Sequence, residues 1–159
     1  MKLKPTSRVA DLGNTIGDEL LKVHVSYGPL VQKLVQRFNR SHSSNKSEIR
    51  NPKSEIPIKA FAHITGGGFV DNIPRVLPKN CDVIIRKGSW DMLPIFQIIQ
   101  ARGRVPEEEL YQVFNMSIGM TVVVPSSHAS VVVKFIRRQN HDAWIIGEVV
   151  AGDCRTRII

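Results

Sequence analysis

The sequence predicts an α+β domain in which helices pack on a β-sheet. Its 159 residues suit one domain, large enough to bury a core without disulfides or bound metal. The composition is globular, with 42% hydrophobic and 23% charged residues. Short apolar runs alternate with segments whose apolar residues recur every three or four positions. That alternation is typical of sheets covered by helices.

The first forty residues predict an irregular segment followed by two helices. Residues 1–13 offer few apolar contacts, whereas apolar side chains recur at helical spacing over 15–25 and again over 29–39. Pro29 suits the first turn of the second helix, because an N–H at that position would have no helical partner.

Residues 40–57 differ in kind from their surroundings. They are polar, and the tetrapeptide Lys-Ser-Glu-Ile at 46–49 returns at 53–56. Two copies are too few for a repeat architecture, and nothing in them can form a core. We expect a flexible surface insertion within a domain that spans 14–159.

Strands and helices alternate through the remainder of the chain. Apolar or β-branched runs predict strands at 58–62, 81–85, 121–124 and 143–150. Helices are predicted at 70–76, from a Ser89 cap to Gly103, from Pro106 onward, and from Ser126 or Ser127 through Ile136.

Residues 62–69, Ala-His-Ile-Thr-Gly-Gly-Gly-Phe, are the most informative stretch. Three bare glycines can turn their N–H groups toward an anion, and they can adopt positive φ without steric cost. His63 adds a titratable ring and Thr65 a hydroxyl. The run matches neither GxxxxGK[ST] nor GxGxxG. The pattern therefore leaves two interpretations open: a phosphate-binding loop, or a glycine-rich turn after a buried strand with His63 hydrogen-bonded in the core.

Three further side chains are candidates for binding. Arg75 offers a planar fork that can bind phosphate with two hydrogen bonds, and Asn72 can both donate and accept. Asn115 is an amide among apolar neighbours. The alternatives are a surface arginine and asparagines that only form turns or caps.

Charge and cysteine content narrow the function classes. The net charge is +8, but the basic residues are scattered and no aromatic residues interleave with them, so we predict solvated surface rather than a nucleic-acid site. Cys81 and Cys154 have no metal-ligand spacing, and we predict no metal site. No apolar run could span a membrane, and we expect no secretory signal, because the first residues lack an apolar core. We expect a cytoplasmic protein.

Several long motifs, in one order, resemble the AIR synthetase (phosphoribosylformylglycinamidine cyclo-ligase) family. The motifs are Gly13–Leu21, Ala62–Arg75, Lys87–Trp90 with Pro94–Phe96, Glu108–Tyr111, Phe114–Met116 and Ile145–Gly152. Outside 40–57 the resemblance covers nearly the whole chain. It extends only to the C-terminal half of the family's longer enzymes.

The resemblance implies a fold and a reaction. The fold is a three-layer α/β/α domain on a mixed sheet, with a partly ferredoxin-like topology. The reaction is the ATP-dependent ring closure of formylglycinamidine ribonucleotide to aminoimidazole ribonucleotide in purine biosynthesis. The implied roles are oxyanion stabilisation or proton transfer by His63, phosphate binding by Thr65, Gly66, Gly67 and Gly68, substrate contact by Asn72 and Arg75, and ordering of the site by Asn115.

The same resemblance implies that much of the active site lies outside this chain. In the family, the N-terminal half supplies much of the nucleotide site, the principal homodimer contact and the carboxylates that hold the Mg²⁺ accompanying ATP. We therefore expect an enzyme part that is inactive alone and that needs a separate N-terminal half. The alternative is a non-catalytic phosphate-binding, nucleotide-binding or regulatory domain.

Two local departures from the family bear on the site. Residues 23–25 stand where the family usually has a stretch like proline-threonine-arginine, and Ser117 stands where it usually has glycine. Both departures put substrate contacts at those positions in question.

Overall fold

The structure, a computed structural model, describes residues 3–39 and 57–159. The predicted insertion at 40–57, with its repeat, lies outside the described residues apart from Pro57. In chain order the elements are β1 (Arg8–Val9), β2 (Asn14–Thr15), α1 (Ile16–Leu20), α2 (Gly28–Phe38), β3 (Ala60–His63), α3 (Gly68–Asn72), β4 (Cys81–Ile85), α4 (Pro94–Gly103), α5 (Glu107–Val113), β5 (Met120–Val123), α6 (Ser126–Arg137), β6 (Gly147–Ala151) and β7 (Thr156–Ile158).

The N-terminal segment contains short regular structure. β1 lies within the stretch 1–13 that was predicted to be irregular, and it pairs antiparallel with β2, just after that stretch, around a 3₁₀ turn at Ala10–Leu12. The side chain of Thr15 then caps α1 by accepting from the Asp18 N–H at 3.1 Å. The helix predicted over 15–25 ends at Leu20, so that prediction is wrong beyond this point. Val23 and Val25 follow in irregular backbone.

A two-stranded ribbon separates two apolar cores. β3 and β5 pair antiparallel, from Ala60 opposite Val123 to His63 opposite Met120. On one face, Phe61 and Val122 pack with α2 and α6 around the buried residues Leu30, Leu34, Ile58, Val132 and Ile136. Because side chains alternate along a strand, Ala62 faces the other and larger core. The predicted helices at 29–39 and from Ser126 are confirmed, each within one residue.

The larger core contains α3 and α5. Its buried residues include Ile64, Phe69, Ile73, Val83, Ile85, Trp90, Leu110, Tyr111 and Met116. The helix predicted over 70–76 forms as α3 and a separate 3₁₀ turn at Pro74–Val76, since Pro74 has no N–H to continue an α-helix. The helix predicted from Pro106 is confirmed as α5.

The start of α4 corrects the predicted Ser89 cap. α4 begins at Pro94, and Ser89 instead lies in a turn where its hydroxyl donates to the Arg86 carbonyl at 2.6 Å. Pro94 occupies the first turn, where a missing N–H costs no hydrogen bond.

β4 is the central strand of a three-stranded mixed sheet. It pairs antiparallel with β6 and parallel with β7, from Val83 opposite Thr156 to Ile85 opposite Ile158. The prediction of β4 over 81–85 is confirmed. The final strand was predicted over 143–150, but β6 begins at Gly147 and β7 follows it unpredicted. The described strands form three separate sheets, so the chain has the predicted α+β class. In the described ranges, no helix has the length and apolarity that crossing a membrane requires.

Candidate functional site

His63 lies at the end of β3 with its side chain exposed. Its neighbours Ala62 and Ile64 are both buried, and strand alternation therefore turns the imidazole away from the larger core. The ladder continues one residue further, where the Ile64 N–H donates to the Gly119 carbonyl at 2.9 Å. His63 is thus held by backbone pairing on a paired strand, with its ring directed to solvent.

Two of the three glycines after Thr65 are required by the backbone. Gly67 and Gly68 have φ of +94° and +53°, in the region that favours glycine. A Cβ on Gly68 would also overlap the carbonyl oxygen of Tyr111, because α3 packs closely against α5. The Gly68 N–H donates to the Thr65 carbonyl at 3.0 Å, which closes the turn.

Asn72 holds the glycine loop from beneath. Its side chain is buried, and its amide nitrogen donates to the Gly68 carbonyl at 2.8 Å. The same nitrogen lies 3.2 Å from the Gly66 carbonyl and 3.4 Å from the Thr65 carbonyl. One amide therefore gathers three loop carbonyls on the inner side of the loop.

The outer side of the loop retains unused donors. Among the described residues, the N–H groups of Gly66 and Gly67 have no hydrogen-bond acceptor. The side chain of Thr65 is exposed, and a Cβ added to Gly66 would meet nothing within 4 Å. Gly66 thus borders open space, whereas the Asp71 side chain lies close against Gly67. The two N–H groups and the Thr65 hydroxyl form a donor set that suits a phosphoryl oxygen.

An aromatic cluster anchors the loop to the larger core. Phe69, directly after the glycines, is completely buried, with its ring centroid 5.7 Å from that of Trp90 and 6.3 Å from that of Tyr111. The Trp90 Nε1–H donates to the Met116 carbonyl at 2.7 Å. This bond links the anchor to the turn that contains Asn115.

Asn115 organises that turn locally. Its side-chain oxygen accepts from the Ser117 N–H at 3.1 Å, and its carbonyl accepts from the Ile118 N–H at 2.8 Å. Ser117 has φ of +76°, in the region that favours glycine. Its hydroxyl accepts from the Leu93 N–H at 2.7 Å.

Arg75 and Asn115 lie apart from the loop in their contacts. Arg75 is exposed in the 3₁₀ turn after α3 and forms no ion pair with the described residues. Neither side chain hydrogen-bonds to the glycine loop in the described ranges. The structure thus groups Thr65, the glycines and Asn72 by direct contact. His63 precedes them at the end of β3, and Arg75 and Asn115 share no hydrogen bond with them in the described ranges.

Two rings that the sequence did not single out accompany His63. The His24 and Tyr27 ring centroids lie 5.7 and 6.0 Å from that of His63, both in edge-on geometry. The three side chains, with Met120, line an open cleft of about 360 Å³. Burial raises the pKa of the Tyr27 hydroxyl. No local pattern could have predicted this cluster, because it depends on packing between residues distant in sequence.

The described part of the chain contains no cluster of side chains that could bind a metal ion. No group of three or more histidine, cysteine, aspartate or glutamate side chains there is arranged to hold an ion. These residues therefore do not fit a Mg²⁺ site of their own.

Comparison with known proteins gives the chain a family. Residues 36–158 match the family described as "AIR synthase related protein, C-terminal domain". A phosphoribosylformylglycinamidine cyclo-ligase of Geobacillus thermodenitrificans is 42% identical over 137 residues, which are 86% of this chain and 34% of the relative. The cyclo-ligase of Acetivibrio thermocellus is 38% identical over 154 residues, 94% of this chain and 40% of the relative.

The alignments cover most of this chain but well under half of each relative. The cyclo-ligase of Alkaliphilus oremlandii is 35% identical over 152 residues, 96% of this chain but 39% of its own length. The chain thus spans well under half the length of these relatives, and the matched region is their C-terminal part. The chain belongs to the AIR synthase related protein family, C-terminal domain.

Proposed function

We propose that this chain is the C-terminal part of an ATP-dependent cyclo-ligase that converts formylglycinamidine ribonucleotide to aminoimidazole ribonucleotide. The observation that carries the proposal is the glycine loop, whose outer N–H groups are unused while its inner carbonyls are held by Asn72. The relatives' names supply the reaction. Purine biosynthesis in the cytoplasm is the corresponding setting.

The loop residues bind and orient a phosphoryl group in this proposal. The Gly66 and Gly67 N–H groups donate to its oxygens, and the Thr65 hydroxyl adds a third donor. Gly68 contributes through the turn that its own N–H closes with Thr65. ATP, when bound, supplies the activation of the substrate's amide oxygen. Since Asn72 and the buried Phe69 fix the loop beforehand, little reorganisation is needed on binding.

His63 stabilises negative charge or moves a proton beside the loop. A histidine suits both tasks because its ring titrates near neutral pH and can donate from either nitrogen. Arg75 supports the substrate's phosphate from the edge of the group. Asn115 orders the neighbouring turn, and a direct substrate contact by Asn72 is restricted to the atoms that do not hold the loop.

The remaining features of the active enzyme belong to the rest of the relatives' length. We assign to that part the carboxylates for Mg²⁺, most of the nucleotide contacts and the homodimer interface. The three-layer, partly ferredoxin-like arrangement is likewise proposed for the complete C-terminal domain.

Reconstitution tests the proposal. The chain alone should give no turnover, and adding the separately expressed remainder of a relative should restore it. His63→Ala should then lower turnover by about 10²–10⁴-fold, whereas His128→Ala, on α6, should leave it unchanged. Full activity without any partner, or intact turnover in His63→Ala, would overturn the assignment.

Calorimetric binding of ATP and substrate, read together with turnover, separates the catalytic from the non-catalytic alternative. A binding or regulatory domain would bind ATP or the substrate, with an affinity that His63→Ala could alter, yet would not turn over in the reconstituted mixture. Restored turnover excludes that alternative.

A further inference from the structure

The segment from residue 20 to residue 25 exposes a continuous set of apolar side chains. Val23 is 94% exposed, Leu21 83% and Leu20 68%, and Val25 is also exposed. Single exposed apolar residues are normal on protein surfaces, but a contiguous set marks an interaction site. Lys22, the charged residue among them, is paired with Glu19 at 2.6 Å.

The segment lies where the matched domain has not yet begun. The C-terminal family domain covers residues 36–158, so all four exposed apolar residues precede it. The relatives nevertheless align with this chain over up to 96% of its length, and 60% or more of each relative's length lies outside the alignment. The exposed residues thus precede the matched domain, yet they lie within the part of the chain that the Acetivibrio and Alkaliphilus relatives share.

The segment is held at both ends. At one end, the capped helix α1 fixes Leu20. At the other, Tyr27 packs so closely on Gly119 that a Cβ at Gly119 would overlap the tyrosine hydroxyl. Between these anchors, the side chains are presented on a backbone with fixed ends, which lowers the entropy cost of binding.

The segment is also continuous with the candidate site. His24 lies between Val23 and Val25, and its ring is edge-on to that of His63. A partner that covers the neighbouring valines would therefore border the cleft that His24 shares with His63.

We propose that Leu20, Leu21, Val23 and Val25 form the docking surface for the polypeptide that makes up the remaining length of the relatives. This polypeptide presents a complementary apolar surface, and its docking closes one side of the His24–His63 cleft. The binding of this polypeptide does not depend on the proposed function. Only the activity of the assembled protein rests on it.

Direct binding tests the docking surface without any turnover. The probe is the part of the Geobacillus thermodenitrificans relative outside the alignment, expressed separately and mixed with this chain in a calorimeter or ultracentrifuge. We expect a one-to-one complex. The double variant Leu21→Asp/Val23→Asp should raise the dissociation constant of the complex by at least about ten-fold, because it places two charges in an apolar contact.

A matched control uses the same substitution elsewhere. Val131 is exposed on α6, and Val131→Asp should leave the dissociation constant unchanged. Because all three residues are exposed, each variant should keep the unfolding midpoint of the wild type. Absence of a complex with the wild-type chain, or equal affinity in the double variant, would overturn the docking surface.

A fusion keeps the test valid if the probe does not fold alone. The same part of the relative is joined ahead of this chain, and a cysteine at position 23 (Val23→Cys) reports solvent access through its alkylation rate. We expect at least about ten-fold slower alkylation in the fusion than in the chain alone, and no change for Val131→Cys. Equal rates at position 23 would contradict the proposal.

Other occupants and the proposed function are distinguished by separate outcomes. Self-association of the chain that the double Asp variant abolishes would assign the surface to a second copy and overturn the proposal. A complex that forms but does not turn over would leave the docking surface standing and remove the proposed function.

Discussion

At the residue scale, Asn72 fixes the conformation of the glycine loop. Three glycines have no side chains with which to fix their own conformation, and the buried amide supplies that constraint from seven, six and four residues away. The functional and structural interpretations of the loop are therefore compatible. Because Asn72 holds the loop through its carbonyls, the N–H groups of Gly66 and Gly67 are left available to a ligand.

Removing this amide should destabilise the fold. We expect Asn72→Ala to lower the free energy of unfolding by about 1–3 kcal/mol, because the buried bond to the Gly68 carbonyl and the part-buried contacts with two further carbonyls are lost. Arg75→Ala, at an exposed residue on the same segment, should change it by less than about 0.5 kcal/mol. Urea unfolding of both variants measures the difference. Equal free energies of unfolding would contradict the role of Asn72 in holding the loop.

Ser117 shows how one side chain can offset an unfavourable backbone. Its φ of +76° favours glycine, while its hydroxyl accepts from the Leu93 N–H. Ser117→Ala should cost about 1 kcal/mol, since it keeps the positive φ and loses the hydrogen bond. Ser117→Gly should be nearly neutral, because relief of the backbone offsets the same loss. Thermal unfolding of the two variants compares them, and an alanine variant as stable as the glycine variant would contradict this account.

At the scale of elements, the contact between α3 and α5 decides which glycines are replaceable. Gly68 sits against the Tyr111 carbonyl at positive φ, whereas Gly66 borders open space. Gly68→Ala should therefore lower the free energy of unfolding by about 2–4 kcal/mol. Gly66→Ala should change it by less than about 0.5 kcal/mol. Denaturant unfolding of the pair tests this, and the prediction fails if the two variants are equally stable.

Elements with strong local signals could be predicted from the sequence, and those formed by distant pairing could not. β4 is a short run that is apolar apart from Asp82, and α2 and α6 carry clear periodicity, so their positions follow from local pattern. β7 has three residues with an arginine at its centre, and it becomes a strand only by pairing with β4. The apolar spacing over 15–25 predicts a buried helix face, yet no described residue covers that face.

The candidate site divides in the same way. His63, Thr65 and the glycines are contiguous in sequence, so one short motif brings them together. His24 and Tyr27 approach His63 through contacts between residues distant in sequence, and Tyr27 also packs on Gly119. These contacts have no local signature. An aspartate inside the apolar run of β4 was, by contrast, a visible signal of a buried polar role that the sequence analysis passed over.

That residue, Asp82, acts at the scale of the whole molecule. Its buried carboxylate accepts from the Asp153 and Arg155 N–H groups at 2.7 and 2.9 Å and pairs with Arg157. The Arg155 N–H and then the Arg157 side chain hold the pKa of Asp82 below its ordinary value. The Asp82 side chain thus links β4 to the turn that precedes β7.

Stability should therefore fall in acid. Because the folded-state pKa of Asp82 is lowered, its contribution is fully present above the unfolded value of about 3.9 and is lost as the pH falls through the folded-state value. Asp82→Asn should be less stable at pH 7 and should lose this part of the acid dependence. Asp142→Asn, at an exposed carboxylate, should follow the wild-type curve. Urea midpoints between pH 7 and pH 2.5 test this, and an unchanged curve for Asp82→Asn would contradict it.

The central position of β4 also has a consequence for biosynthesis. β4 leaves the ribosome well before β6 and β7, which are its partners on both edges. Until residues 147–158 follow, its apolar run has two unpaired edges, the state in which strands are most prone to aggregate. Chaperone dependence during synthesis should therefore persist until the last strand has been translated, however early the glycine loop and its aromatic anchor have formed.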